Sequence, residues 1–234
     1  MSGILYIISA PSGSGKSTLV TELRKSVPNL DFSISYTTRK PRGSEQDGRE
    51  YYFVTREEFE RMVAAGEFLE HADVFGHYYG TARRFLEEAK KHDRDLLLDI
   101  DVQGARQVKG KFPEAVSIFV LPPSRAELEQ RLRRRSEAEK MKSQEVIKRR
   151  LEEAGREIEN YPSYDYILIN DRLEQSIDTL KAIVLSERVR HSGRTPNAGE
   201  RKMMASAERC LQANCREQLQ QVLSTFTSST APRG

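Results

Sequence analysis

Ala10-Pro11-Ser12-Gly13-Ser14-Gly15-Lys16-Ser17-Thr18 is a glycine-rich loop set between two regular segments. Before it, Ile4–Ser9 is a short run of apolar β-formers, which reads as a buried strand. After it, apolar residues recur at helical spacing from Lys16 to about Val27, and Pro28 ends the helix. A strand, a glycine-rich turn and a helix N-terminus make an anion cradle, because successive backbone N–H groups and the positive end of the helix dipole face one point. The run departs from the pattern G-x-x-x-x-G-K-[ST] only at Ala10, which stands for the first glycine. Ser12, Gly13, Ser14 and Gly15 then wrap phosphates with backbone, Lys16 places a point charge on the outer phosphates, and Ser17 offers its hydroxyl to Mg²⁺, with Thr18 completing the run. A Gly/Ser-rich turn without function is the weaker reading, given the strand before and the helix after. The loop predicts a nucleoside triphosphate and says little about what receives the phosphoryl group.

Outward from the loop, strands and helices alternate. Asp95–Ile100, Ala115–Leu121 and Tyr164–Asn170 read as further buried strands, and Val102–Lys111, Ser124–Arg135 and Leu173–Arg190 as the helices that follow them. Such alternation predicts an α/β fold with a parallel sheet covered on both faces. Two regions break the pattern. Residues 33–81 hold short β-like pieces and Gly-rich turns, which suit a small mixed lobe. Residues 124–160 are helical and unusually charged, with Glu137–Lys140 between two helices, which suits a mobile exposed cap. Residues 191–199 read as a linker, 200–225 as one polar helix with Leu211, Leu219 and Val222 on one side, and Ser224–Gly234 as disordered.

The chain has 234 residues, of which 31% are charged and 37% hydrophobic, enough apolar matter for one large domain. Mean hydropathy is −0.65, and no apolar run is long enough to span a membrane. No secretory leader is expected either. Residues 191–234 carry six basic and three acidic side chains, so the net +3 belongs to that stretch and the rest balances at 32 of each sign. A balanced body argues against nucleic acid as a partner. The two cysteines, Cys210 and Cys215, build neither a disulfide framework nor a four-ligand zinc site, so a reducing cytoplasm is the default. Assembly stays open, a homo-oligomer included.

The acceptor side is more specific. Ser33-Ile-Ser35-Tyr-Thr-Thr-Arg39-Lys-Pro-Arg42 is followed by Glu45, Tyr51-Tyr-Phe53, Gly66-Glu-Phe-Leu-Glu70, Gly76-His-Tyr-Tyr79-Gly-Thr81 and Leu98-Asp99-Ile-Asp101-Val-Gln-Gly104. In this order, and above all in the T-T-R-x-P-R, Y-Y-G-T and D-I-D-x-Q-G runs, the sequence resembles guanylate kinases over about residues 3–190. The resemblance implies a P-loop NTPase parallel-sheet core in a domain of residues 1–190, with an inserted mixed α/β GMP-binding lobe at about 34–82, a helical lid at about 124–160, and a linker and tail at 191–234. It implies transfer of a phosphoryl group from ATP, with Mg²⁺, to GMP, with dGMP expected as a second acceptor.

Residue by residue, the resemblance gives Arg39 and Arg42 to the acceptor phosphate, helped by hydroxyls of Tyr51 and Tyr79, with Glu45 in the same substrate-binding set. This suits a dianion, which prefers guanidinium forks and neutral donors. Glu70 matches the carboxylate that accepts from guanine N1–H and the exocyclic amine. Adenine has no donors there, so an unpaired buried carboxylate would penalise it. Ser35, Thr81 and Asp101 match the other base-edge contacts. Asp99 matches the carboxylate near metal and phosphates, although Asp99 read alone could equally cap the next helix. Arg131 matches one lid arginine, Arg134 or Arg135 another, the run Arg133–Arg135 leaving the register open. Arg150 matches an arginine that bridges both substrates' phosphates, and Asn170-Asp171 a pair beside the adenine. Three other readings compete, the third a regulatory protein whose tail carries the main function. A non-catalytic guanylate-kinase-like binding module would be expected to lack an intact loop, and Gly15-Lys16-Ser17 argues against it. A P-loop kinase with another acceptor has no need of Glu70 and Ser35. Nothing in residues 191–234 is specific enough to carry a function of its own.

Overall fold

The structure, a computed structural model, describes residues 3–74, 76–138 and 144–227. In chain order its elements are β1 (Leu5–Ser9), α1 (Lys16–Ser26), β2 (Leu30–Phe32), β3 (Tyr36–Thr37), β4 (Tyr52–Phe53), α2 (Arg56–Ala64), β5 (Phe68–Val74), β6 (His77–Ala82), α3 (Arg83–Lys91), β7 (Asp95–Asp99), α4 (Val102–Lys111), β8 (Val116–Leu121), α5 (Arg125–Ala138), α6 (Gln144–Ile158), β9 (Tyr166–Ile169), α7 (Leu173–Ser192), α8 (Ala198–Glu208) and α9 (Arg216–Thr227). The strands and helices expected around the parallel sheet are present, and the fold is mixed α/β. Among the described residues no helix is long and apolar enough to cross a membrane. The chain gathers into two compact units, the first comprising the chain up to Ile8 with Val27–Ser117, the second Ser9–Ser26 with the chain from Ile118.

In the first unit β7 runs parallel to both β1 and β2, with Ile7 opposite Leu98, Ile8 opposite Asp99 and Phe32 opposite Leu97. All of β1 is buried, and β7 is buried up to Asp99. Unbroken apolar runs of this kind belong to strands covered on both faces. The register delivers Asp99 at the carboxyl end of β7, where ligands sit in open parallel sheets. A second sheet of order β4-β3-β6-β5 lies within residues 36–82, with β6 antiparallel to β3 and β5. Its apolar side is closed by α2, through Phe59, Met62 and Phe68 with Tyr36 and Tyr78. Helix α4 is clamped to β5: Lys111 Nζ donates to Leu69 O at 2.6 Å, and Gln107 Nε2 donates to His71 O at 2.7 Å.

In the second unit β8 and β9 pair in parallel, with Phe119 opposite Ile167, and α1 packs on α7. The charged helices α5 and α6 share an apolar seam of Leu128, Leu132, Ile147, Leu151 and Ala154. Most of the charged connection between them lies outside the described residues.

The C-terminal stretch differs from the single polar helix expected at 200–225. It forms two helices, and Leu211 belongs to neither: it bridges antiparallel to Tyr166, with Ile167 N donating to Cys210 O at 2.7 Å and Gln212 N to Asp165 O at 2.9 Å. The open edge of β9 offers these groups, and pairing a sheet edge outweighs continued helix. Asn214 Nδ2 closes the end of α8 by donating to Glu208 O at 2.8 Å. The linker is also shorter than expected. Helix α7 runs to Ser192 and stops at left-handed Gly193, and Asn197 and Glu200 form a capping box that starts α8. Helix α9 runs through Thr227, past the expected onset of disorder at Ser224, and its residue Phe226 packs against the seam of α5 and α6. Residues 228–234 lie outside the described part.

Candidate active site

The loop geometry explains its glycines. Gly13 has φ +91° and Gly15 φ +88°, a region that side-chain-bearing residues avoid. A Cβ at Gly13 would sit 2.9 Å from Leu132 Cδ2 of α5, and one at Gly15 would collide with the Asn170 amide. The loop is held from the end of β9: Asn170, 4% exposed, donates from Nδ2 to Ser14 O at 2.8 Å. Arg131 donates to the same carbonyl at 3.4 Å, to Asn170 O at 3.0 Å, and to Glu127 Oε1 at 2.9 Å. The Ser14 hydroxyl is buried in the loop without a partner, a cost that an incoming acceptor oxygen would remove.

Lys16 is the first residue of α1, and Ser17 and Thr18 are exposed on its first turn. Among the described residues no three His, Cys, Asp or Glu side chains gather to hold a metal. The exposed Ser17 hydroxyl is a hard oxygen donor and fits a divalent cation that arrives with nucleotide phosphates. Arg150 is half-buried on α6. Arg133 pairs with Glu129 on the exposed face of α5, Arg134 is exposed, and the Arg135 side chain lies outside the described residues.

Two clusters form in the first unit. In one, Arg39 is 6% exposed and forks onto Glu45, with Nη1 to Oε2 at 2.8 Å and Nη2 to Oε1 at 3.0 Å. Its Nε donates to the Tyr79 hydroxyl at 3.1 Å, and its Nη1 also donates to Lys40 O at 2.7 Å. Burial alone would lower the guanidinium pKa, but the bonds to Glu45 and Tyr79 more than offset it and hold the charge on. Glu45 also accepts from Arg42 N at 2.7 Å. Despite its burial, its carboxyl is held below the ordinary value by Arg39 and that backbone bond. Tyr51 packs edge-on to Tyr79 and lies under the Arg39 guanidinium, 5.3 Å from ring centre to Cζ. Burial, then the charge of Asp99, pushes the Tyr51 phenol up to about 12, so it is a neutral donor at any physiological pH. The cluster thus joins a charged guanidinium, oriented by the Glu45 carboxylate, to the Tyr79 hydroxyl and the neutral Tyr51 phenol.

In the other cluster, Glu70 is 3% exposed and accepts from the Thr81 hydroxyl at 2.7 Å, with Ser35 Oγ 3.5 Å from Thr81 Oγ1. Burial pushes the Glu70 carboxyl up to about 7; the Thr81 bond opposes this and the Asp101 charge adds to it. Asp101 is the N-cap of α4, accepting from Gly104 N at 2.8 Å and from Gln103 Nε2 at 3.3 Å. The capping carboxylate is therefore Asp101 and not Asp99. The side chains that sequence reading passed over are supports: Glu127 behind Arg131, and Lys111 and Gln107 beside Glu70. Only Glu127 left a signal, its i,i+4 spacing to Arg131.

The candidates divide cleanly. Ser12–Thr18, Arg131, Arg150 and Asn170 all belong to the second unit; Ser35, Arg39, Arg42, Glu45, Tyr51, Glu70, Tyr79, Thr81, Asp99 and Asp101 all belong to the first. Comparison with known proteins identifies the family. The family described as Guanylate kinase matches residues 2–187. A guanylate kinase of Koribacter versatilis is 58% identical over 233 residues, all of both chains. One of Escherichia coli K12 is 47% identical over 192 residues, 81% of this chain and 91% of that one. The crystal structure of guanylate kinase from Anaplasma phagocytophilum superposes with a TM-score of 0.66 at 36% identity, covering 80% of this chain and 86% of the other. With a nucleotide loop in one unit, an arginine–tyrosine cluster and a buried carboxylate in the other, and these relatives, the chain belongs to the guanylate kinase family and is a kinase.

Proposed function

We propose that the two units divide one reaction, the donor bound by the second and the acceptor by the first. The chain phosphorylates GMP to GDP at the expense of ATP, the reaction of its family. The observation that carries the choice of acceptor is the buried Glu70 carboxylate beside Thr81 and Ser35. Ionised, it accepts from guanine N1–H and the 2-amino group, while adenine would leave it unpaired, a loss of about 1–3 kcal/mol or more for a charged group. Ser35, Thr81 and Asp101 complete the base-edge contacts. Asp101 is already an N-cap, yet a carboxylate has about four lone-pair sites and can serve both.

Arg39, Arg42, Tyr51 and Tyr79 hold the GMP phosphate. Glu45 takes part through Arg39: a carboxylate repels a dianion, and its two oxygens orient the guanidinium instead. The loop backbone and Lys16 hold the ATP phosphates, with Asn170 and Asp171 beside the adenine. Ser17 would hold the divalent ion, proposed as Mg²⁺, which when bound would neutralise phosphate charge. Asp99, at the carboxyl end of β7 in the acceptor unit, would offer its carboxylate to the metal and phosphates. Arg131 and Arg150 meet the charge that spreads over the transferring group, a role worth about 10³–10⁵ in rate for such arginines. A GMP phosphate oxygen is already an anionic nucleophile, so attack in line on the γ-phosphorus needs no general base. Catalysis is positioning and electrostatics. On this reading residues 1–190 are the catalytic domain, with about 34–82 and 124–160 as the GMP lobe and lid, and dGMP is a second acceptor. The partners are the two nucleotides, without nucleic acid. The free thiols of Cys210 and Cys215 support a cytoplasmic location.

The test is Glu70→Gln, with kcat/KM measured for GMP and AMP. The GMP-over-AMP ratio should fall about 100-fold or more; an unchanged ratio removes Glu70 from base recognition.

A further inference from the structure

We infer that Gly104 sets the position of the Glu70 carboxylate, and with it the choice of base, by having no side chain. The inference rests on the proposed reading of Glu70 as the guanine acceptor. One side of the Glu70 carboxylate is fixed by the Thr81 hydroxyl at 2.7 Å. The other lies against the first turn of α4. A Cβ at residue 104 would stand 2.9 Å from Glu70 Cδ, closer still to Oε2, and 3.3 Å from Asp101 Oδ1.

What yields on adding a methyl group is decided by what surrounds it. The α4 backbone is tied at this residue, since Gly104 N donates to Asp101 Oδ1 at 2.8 Å. The β5 backbone is tied on both sides of Glu70. Lys111 bonds Leu69 O at 2.6 Å, and Gln107 bonds His71 O at 2.7 Å and accepts from His71 N at 3.3 Å. The backbones are thus locked to each other across the clash, and the flexible part is the carboxylate end. That end is the functional atom. The structural cost is correspondingly small, and alanine in a helix is favoured over glycine by about 1 kcal/mol. A misplacement of about 1 Å in a positioning group can cost about 100-fold in rate. Gly104 is therefore a positioning residue whose loss shows in selectivity ahead of folding.

The experiment compares GMP with IMP, which keeps N1–H and lacks the 2-amino group, in wild type, G104A, E70A and E70A/G104A. The G104A ratio of kcat/KM for GMP over IMP should fall about tenfold or more, with KM for ATP unchanged, and E70A/G104A should match E70A. If E70A loses the ratio and G104A keeps it, the role of Gly104 is overturned while Glu70 stands. If E70A itself keeps the ratio, base reading by Glu70 fails, and this inference with it. Should G104A melt too low for assay, E70D/G104A decides. Shortening the acid by one methylene clears the added methyl and should restore folding; a double variant as unstable as G104A contradicts the inference.

Discussion

Burial raises the pKa of a carboxyl group because the charged form loses more solvation than the neutral one. Glu70 is pushed up to about 7 in this way, against an ordinary 4.5, while the proposed base recognition requires the ionised form. Between those two values the folded chain keeps a proton that the unfolded chain releases, so stability falls as pH rises from about 4.5 through about 7. Above that range the buried charge costs on the order of 3 kcal/mol until a ligand's N–H groups meet it. Two results are expected. Calorimetry should find E70Q melting above wild type at pH 8, with the gap closing toward pH 5. The wild-type preference for GMP over AMP, whose phosphate titrates alike, should rise from pH 6 to pH 8. A pH-independent preference would show that the carboxyl is ionised throughout. Glu70 itself was legible only through its neighbours in the sequence. Its partner at Gly104 was not, because a contact between β5 and the first turn of α4 leaves no periodic trace. Glu45 is similar: six residues from Arg39 and joined to it across a turn, it reads as one more acid among substrate contacts until the fork is seen.

At the level of elements, the C-terminal stretch is where sequence reading was least complete. The apolar periodicity of 200–225 predicted one helix, yet Leu211 leaves the helical pattern to pair with Tyr166. That outcome depends on the open edge of β9, a tertiary fact. The capping box at Asn197 and Glu200, by contrast, was a local signal that could have placed the start of α8. The stretch is tied down at several points. Arg190 bonds Glu208 at 3.1 Å and Glu187 at 2.6 Å, Arg125 N donates to Thr225 Oγ1 at 3.0 Å, and Phe226 packs on the seam of α5 and α6. Ending the chain at Arg194 would bare the edge of β9, whose Ile167 N–H and Asp165 carbonyl now pair with the tail. The truncated chain should melt roughly 5–10 °C lower and scatter light on warming, while its preference for GMP over AMP stays as in the full chain. An unchanged melting curve would show that the tail contributes nothing to the second unit.

For the whole molecule, the parallel-sheet core was legible because buried parallel strands are unbroken apolar runs and each is followed by a helical period. The loop was legible because its two left-handed glycines admit few substitutes. The supporting bonds, from Asn170 and Arg131 to the Ser14 carbonyl, were not, since they join residues more than a hundred positions apart. The candidate donor residues fall in one unit and the candidate acceptor residues in the other, a division that the proposed two-substrate reaction would use in full. The most direct measurement follows ADP and GDP together as the purified chain acts on MgATP with GMP, dGMP, AMP, UMP or dTMP. The account predicts one GDP for each ADP with GMP, and slow turnover with AMP, UMP and dTMP. ADP without GDP, or faster turnover with a pyrimidine or adenine monophosphate, would contradict it.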